Sequence, residues 1–355
     1  MAGMTYQHGG DIYRNAVELD FSVNVNPLGM PERVRAALLD AVGECGCYPD
    51  PEALELRAAV SAAEGVEQQY ILCGNGASEL MSALVHAIRP QRAVIPVPSF
   101  YGYEYAACAG GGEMVFYPMP KSGRYQYDRG LLEVLTPDVG LVFLANPNNP
   151  TGKLTERDFL ELLIRHCRRQ GIYVLLDECF LELCRQAGEH SLLDRLEEFP
   201  NLMVLRAFTK TYAIPGVRLG YLCCSDTELL KKIRMQLPEW NLSVFAQRAG
   251  VAALCEREYL GQSVDYVERE RKFLREELRR CGILVWEGAA NFLLLESPLP
   301  LYQELLERGI LIRDCRNFRG LAEGYYRIAV RRRAENEKLI AALEEICHAG
   351  IHTAR

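Results

Sequence analysis

Four residues of this 355-residue chain stand just where apolar runs end, and their types suit one kind of chemistry. Lys210 and Arg218 follow the run at 202–205, Asp177 follows the run at 172–176, and Asn149 follows 141–145. Strand ends are where open α/β sheets bind ligands. A lysine there can attack a carbonyl cofactor through its amine and form a Schiff base, whereas an isolated lysine is more often a solvated loop residue. An aspartate aimed from a strand end into an apolar pocket is costly unless it meets positive charge. A metal, an arginine or the protonated nitrogen of a pyridine ring would serve, and the absence of a P-loop lysine removes a nucleotide-bound metal. Around Asn149, the prolines at 147 and 150 make a rigid loop that fixes an amide donor.

Two further stretches could hold an anion and a ring. In Gly74-Asn-Gly-Ala-Ser-Glu-Leu80, Gly76 lets the backbone approach an anion, and the amides of Ala77 and Ser78 at a helix start could bind a phosphate. The plain alternative is a glycine-rich helix cap. In Pro98-Ser-Phe-Tyr-Gly-Tyr103, Phe100 could stack on a planar ring or simply pack the core.

The elements that must position these residues alternate in type. Apolar runs recur at 93–97, 114–117, 139–144, 172–176, 202–205 and 219–223, with helical stretches at about 78–89, 129–135, 155–169 and 227–236. Such alternation predicts a three-layer α/β domain over 45–245, built on a mostly parallel sheet. Long helices are expected through 246–280. Three more apolar runs, Ile283–Trp286, Asn291–Leu295 and Tyr325–Val330, with helices near 299–308 and 334–347, read as a smaller α+β domain. The turn-rich segment 1–44, with a helix opened by Pro31, is assigned to it.

Composition narrows the function classes. A net charge of −7 disfavours nucleic acid and anionic membranes as partners. No run approaches the roughly 18 apolar residues of a membrane span. Thirteen cysteines, never spaced Cys-x-x-Cys, read as reduced thiols in a cytoplasmic protein with no metal site.

Taken jointly, Asn146-Pro-Asn-Asn-Pro-Thr-Gly152, Asp177-Glu-Cys-Phe180 and Thr209-Lys-Thr-Tyr-Ala-Ile-Pro-Gly-Val-Arg-Leu-Gly-Tyr221 resemble the pyridoxal-phosphate enzymes of the aminotransferase class I/II superfamily, fold type I. The resemblance runs over nearly the whole chain. It implies that Lys210 joins the cofactor aldehyde and shuttles the proton, that Asp177 pairs with the ring nitrogen, and that Asn149 donates to the phenolic oxygen. It further implies Phe100 against the ring, and Gly76, Ala77, Ser78, Thr209 and Arg218 around the phosphate. Tyr48 would reach the cofactor phosphate of the other subunit, making the active unit a homodimer.

Within the family, Tyr48-Pro-Asp-Pro51, Asn24-Val-Asn-Pro-Leu-Gly29 and Leu311-Ile-Arg-Asp-Cys-Arg-Asn-Phe318 are similar to the branch holding histidinol-phosphate aminotransferase and L-threonine-O-3-phosphate decarboxylase. Asn26 in the second motif joins the expected substrate residues. Three details lean to the decarboxylase. His8-Gly-Gly10 could contact a substrate phosphate, and Phe180 stands where aminotransferases of the branch carry a tyrosine. Alternation along 325–331 would put Arg327 and Arg331 on one face, suiting a small phosphorylated amino acid with two anionic groups. The expected reaction is decarboxylation of O-phospho-L-threonine. Histidinol-phosphate transamination is the alternative, and a catalytically silent sensor of the same fold is a third reading.

Overall fold

The computed structural model describes residues 9–353. A two-residue strand, β1 (Leu19–Asp20), precedes the main sheet. That sheet contains β2 (Ile71–Gly74), β3 (Arg92–Val97), β4 (Glu113–Pro118), β5 (Leu141–Ala145), β6 (Tyr173–Asp177), β7 (Leu202–Ala207) and β8 (Gly220–Cys223). Its order is β2-β8-β7-β6-β5-β3-β4. Strands β3 to β7 are all parallel, and β8 runs antiparallel to both neighbours, β2 and β7.

Burial on both faces explains the apolar runs. Val142, Leu144, Val174, Leu176 and Val204 point into one core with helices Leu54–Glu64, Arg157–Gln170 and Val244–Leu254. Their neighbours Phe143, Leu175, Met203 and Leu205 point into the other, with helices Ala77–Ile88, Gly102–Ala109 and Thr227–Arg234. Alternate residues thus serve opposite layers, and the three-layer, mostly parallel α/β class holds. Strand β2 and helix Gly102–Ala109 were not expected from the sequence.

A second sheet comprises β9 (Leu284–Trp286), β10 (Phe292–Glu296), β12 (Arg313–Asp314) and β13 (Tyr325–Ala329), in the antiparallel order β12-β13-β10-β9. Between them in sequence, β11 (Ile310–Leu311) pairs with β1. Leu293, Leu295 and Ile328 meet Leu274, Leu278, Leu339 and Leu343 from helices Arg257–Arg280 and Arg333–Thr353. From the N-terminal segment, Phe21 joins this core, whereas Val34 on helix Glu32–Asp40 lies in a core of the large sheet.

Parallel register aligns the carboxyl ends that matter. Ala145 sits opposite Asp177, and Asp177 opposite Leu205, so the Asn149 loop, Asp177 and the Lys210 turn leave the sheet at one edge. The small sheet faces that edge.

Candidate active site

A cavity of about 200 Å³ lies there, and nine of the residues singled out from sequence line it: Ala77, Ser78, Phe100, Asn149, Asp177, Thr209, Lys210, Arg218 and Arg327. They come from six separate stretches, which only the strand order brings together.

Lys210 rides on one helical turn. Ala207 ends β7 in an extended conformation, and Phe208–Thr211 then coils, carrying the lysine into the cavity. The turn is pinned from outside by Asn26, whose amide nitrogen donates to the Lys210 carbonyl over 2.9 Å and whose side chain donates to the Thr211 carbonyl over 2.8 Å. Burial, and next the Arg327 guanidinium, lower the Lys210 amine from 10.5 to about 8. A larger neutral fraction near neutral pH suits a nucleophilic amine.

Asp177 is held by two donors. The Tyr103 hydroxyl donates to Oδ2 over 2.6 Å, and the Cys179 amide to Oδ1 over 2.9 Å. Burial, and then the facing carboxylate, push the Tyr103 phenol well above its usual range, so it stays a donor.

At the opposite end the geometry suits a phosphate. Helix Ala77–Ile88 begins directly at the cavity, and its first amides are free of intrahelical partners. Gly76 has φ +82°, and a Cβ on it would lie 2.6 Å from Arg218 Nη2. The backbone and the guanidinium therefore approach more closely than any side chain would permit. Arg218 donates to the Pro215 carbonyl over 3.1 Å, and no carboxylate among the described residues pairs with it.

The third wall carries a feature that sequence reasoning missed. Arg313 on β12 sits directly across the ladder from Arg327 on β13, with 6% and 7% of their surfaces exposed. Their partners are neutral. Arg313 donates to Asn317 Oδ1 over 2.7 Å, and Arg327 to Asn149 Oδ1 over 2.5 Å and to the Ser22 carbonyl over 2.9 Å. Burial lowers both guanidiniums, Arg327 to about 10. Like charges directly opposite on a sheet repel, and buried charges without counter-ions are costly. The pair is thus a cavity wall waiting for anions. Arg327 also occupies the Asn149 carbonyl oxygen, which leaves that amide's N–H₂ as the group facing the cavity.

Three expected site residues lie elsewhere, and a fourth falls outside the described residues. Arg331 falls beyond the end of β13 at Ala329, so the alternation that would have paired it with Arg327 stops short, and it bonds Glu335 over 2.7 Å instead. Asn26 is buried behind the lysine turn, also donating to Ser263 Oγ. Tyr48 is 80% exposed and stacks on Trp240 at 4.7 Å, outside the cavity. His8 lies outside the described residues.

Comparison with known proteins fits this geometry. The family model for aminotransferase class I and II matches residues 16–343. The chain belongs to that family. The chain is 36% identical to threonine-phosphate decarboxylase of Salmonella typhimurium, over 98% of each chain. It is 33% identical to histidinol-phosphate aminotransferase 2 of Carboxydothermus hydrogenoformans, over 91% of this chain and 89% of that one. Among solved structures, histidinol-phosphate aminotransferase from Clostridium acetobutylicum superposes with a TM-score of 0.88 at 29% identity, covering 93% of this chain and 99% of that one. This family member is a pyridoxal-phosphate-dependent enzyme. No helix among the described residues is long and apolar enough to cross a membrane.

The residues present fit that cofactor. A lysine amine near 8, a carboxylate with two fixed donors, and a side-chain-free cradle under an arginine lacking a carboxylate partner match its aldehyde, ring nitrogen and phosphate.

Proposed function

We propose that the chain decarboxylates O-phospho-L-threonine to (R)-1-aminopropan-2-ol phosphate, a step in cobalamin side-chain assembly, acting as a cytoplasmic homodimer. The observation that carries the reading is the buried Arg313–Arg327 pair, which calls for a ligand with two anionic groups. Support also comes from the full-length similarity to a threonine-phosphate decarboxylase. Phe180 on the cavity wall, in place of a hydroxyl-bearing residue, adds to it.

In this reading, Lys210 would hold the cofactor through its amine, Asp177 would pair with its ring nitrogen, Asn149 would donate to its phenolic oxygen, Phe100 would pack against the ring, and Gly76, Ala77, Ser78, Thr209 and Arg218 would hold its phosphate. When bound, pyridoxal phosphate supplies an electron-withdrawing ring that accepts the electron pair left at the α-carbon. Arg327, whose charge is felt most strongly by Lys210 among its neighbours, binds the α-carboxylate. Arg313 binds the substrate phosphate as a charge-assisted fork. Released when the substrate's amine takes its place, Lys210 would carry the ammonium proton that is returned to the α-carbon after carbon dioxide has left. Phe180 and Phe318 exclude water from that carbon.

The cofactor-loaded protein is incubated with O-phospho-L-threonine and, separately, with histidinol phosphate plus 2-oxoglutarate. Carbon dioxide matched by aminopropanol phosphate supports the proposal. Glutamate formation from the second mixture, with no carbon dioxide from the first, would replace it with transamination, the reading favoured by the likeness to the aminotransferase from Clostridium acetobutylicum.

A further inference from the structure

We propose that Arg319 and Glu104 form a clamp that positions the substrate-binding loop over the cavity. The proposal rests on the reading above only in taking Arg313 to face the substrate.

Arg319 lies in the loop between β12 and β13, and Glu104 lies in the first turn of helix Gly102–Ala109 on the large sheet. Their contact is a two-pronged fork, Nε to Oε2 and Nη2 to Oε1, each 2.7 Å. The guanidinium also lies 4.2 Å from the centroid of the Phe116 ring. Glu104 has an 8% exposed side chain, so its carboxylate would be a nearly buried unpaired charge without Arg319. Gly320 follows at φ +82°, where an added Cβ would just meet Pro98 and Val97 at 3.4–3.5 Å, so the loop backbone runs close beside the end of β3.

Both ends of the clamp lead to the site. On the loop side, Phe318 and Arg313 line the cavity, and Asn317 and Phe318 hold the Arg313 guanidinium through Oδ1 at 2.7 Å and a ring centroid at 5.2 Å. On the helix side, Glu104 directly follows Tyr103, the donor to Asp177. A fixed fork thus ties the arm that meets substrate to the helix that steadies the cofactor's carboxylate partner. Neither Arg319 nor Glu104 lines the cavity, so they are positioning residues.

The test uses the holoenzyme and measures the Kd of O-phospho-L-threonine from the cofactor's absorbance in Glu104→Gln, Arg319→Gln, Arg319→Lys and Arg313→Gln variants. Misplacement of Arg313 is expected to weaken binding about tenfold in Glu104→Gln and Arg319→Gln, with cofactor affinity within twofold of wild type. Arg319→Lys, which keeps the charge without the fork, should recover part of the loss. In an Arg313→Gln background, Arg319→Gln should add nothing further. Wild-type Kd values in the clamp variants, or losses that multiply independently with Arg313→Gln, would overturn the clamp. A wild-type protein that binds histidinol phosphate but not O-phospho-L-threonine would overturn the substrate reading instead, and the same cycle with histidinol phosphate would then decide the clamp.

Discussion

The Tyr103 hydroxyl donates to Asp177 Oδ2 over 2.6 Å from a helix, Gly102–Ala109, that follows β3, a strand two places away from β6 in the sheet. The carboxylate is thereby fixed from the side opposite the Asp177 backbone's own turn, where the Cys179 amide binds Oδ1. Removing the phenol oxygen leaves the ring packing intact and frees the carboxylate to rotate. Tyr103→Phe should weaken cofactor retention by about 1.5–3 kcal/mol, the range for a hydrogen bond to a charged group. Equilibrium dialysis of the cofactor measures this, and retention equal to wild type would show that Asp177 is held without Tyr103.

The Lys210 amine should titrate through about pH 8 in the cofactor-free protein. Burial and Arg327 both favour its neutral form, so the fraction able to attack an aldehyde grows as pH rises through that value. The rate of covalent cofactor uptake should climb with the same midpoint and level off above it. In Arg327→Gln one opposing positive charge is gone, protonation becomes easier, and the midpoint should move upward. Stopped-flow absorbance across pH 6–10 checks both statements, an interval set by the roughly ±2 units a titration needs around its midpoint. An unmoved midpoint would mean that Arg327 does not act on the lysine.

Arg313→Gln should separate binding from stability. The wild-type pair places two desolvated cations across one ladder rung with neutral partners only. Relieving that repulsion should leave the substrate-free protein as stable as before or up to about 1 kcal/mol more stable. Substrate KM should rise about tenfold or more, from loss of a charge-assisted bond. Thermal unfolding and steady-state kinetics read the two effects. A loss of several kcal/mol in stability would instead mark Arg313 as a structural residue.

Much of this architecture was legible in the chain, for reasons that particular residues display. Buried parallel strands must be apolar along their length, so β5, β6 and β7 announced themselves, and polar groups such as Asp177 and Lys210 stood out at their ends. Tyr103 did not stand out. Phe100, Tyr101 and Tyr103 crowd one stretch, and only the unexpected helix starting at Gly102 decides that Phe100 lines the cavity while Tyr103 turns to Asp177. Arg313, quoted only as part of the 311–318 motif, was not singled out for the site because β12 is two residues long, too short to show any period. Arg331 misled for the converse reason: the alternation continues in sequence, but the strand ends at Ala329 and the Arg331 amide donates to Asn336 Oδ1 at the start of the next helix.

The most direct measurement is the site of covalent cofactor attachment. The holoenzyme is reduced with borohydride, digested, and its peptides are mapped by mass spectrometry. The expected result is a single pyridoxyl adduct on Lys210, absent from Lys210→Ala. An adduct on another lysine such as Lys153, or none at all after loading with pyridoxal phosphate, would contradict the central claim.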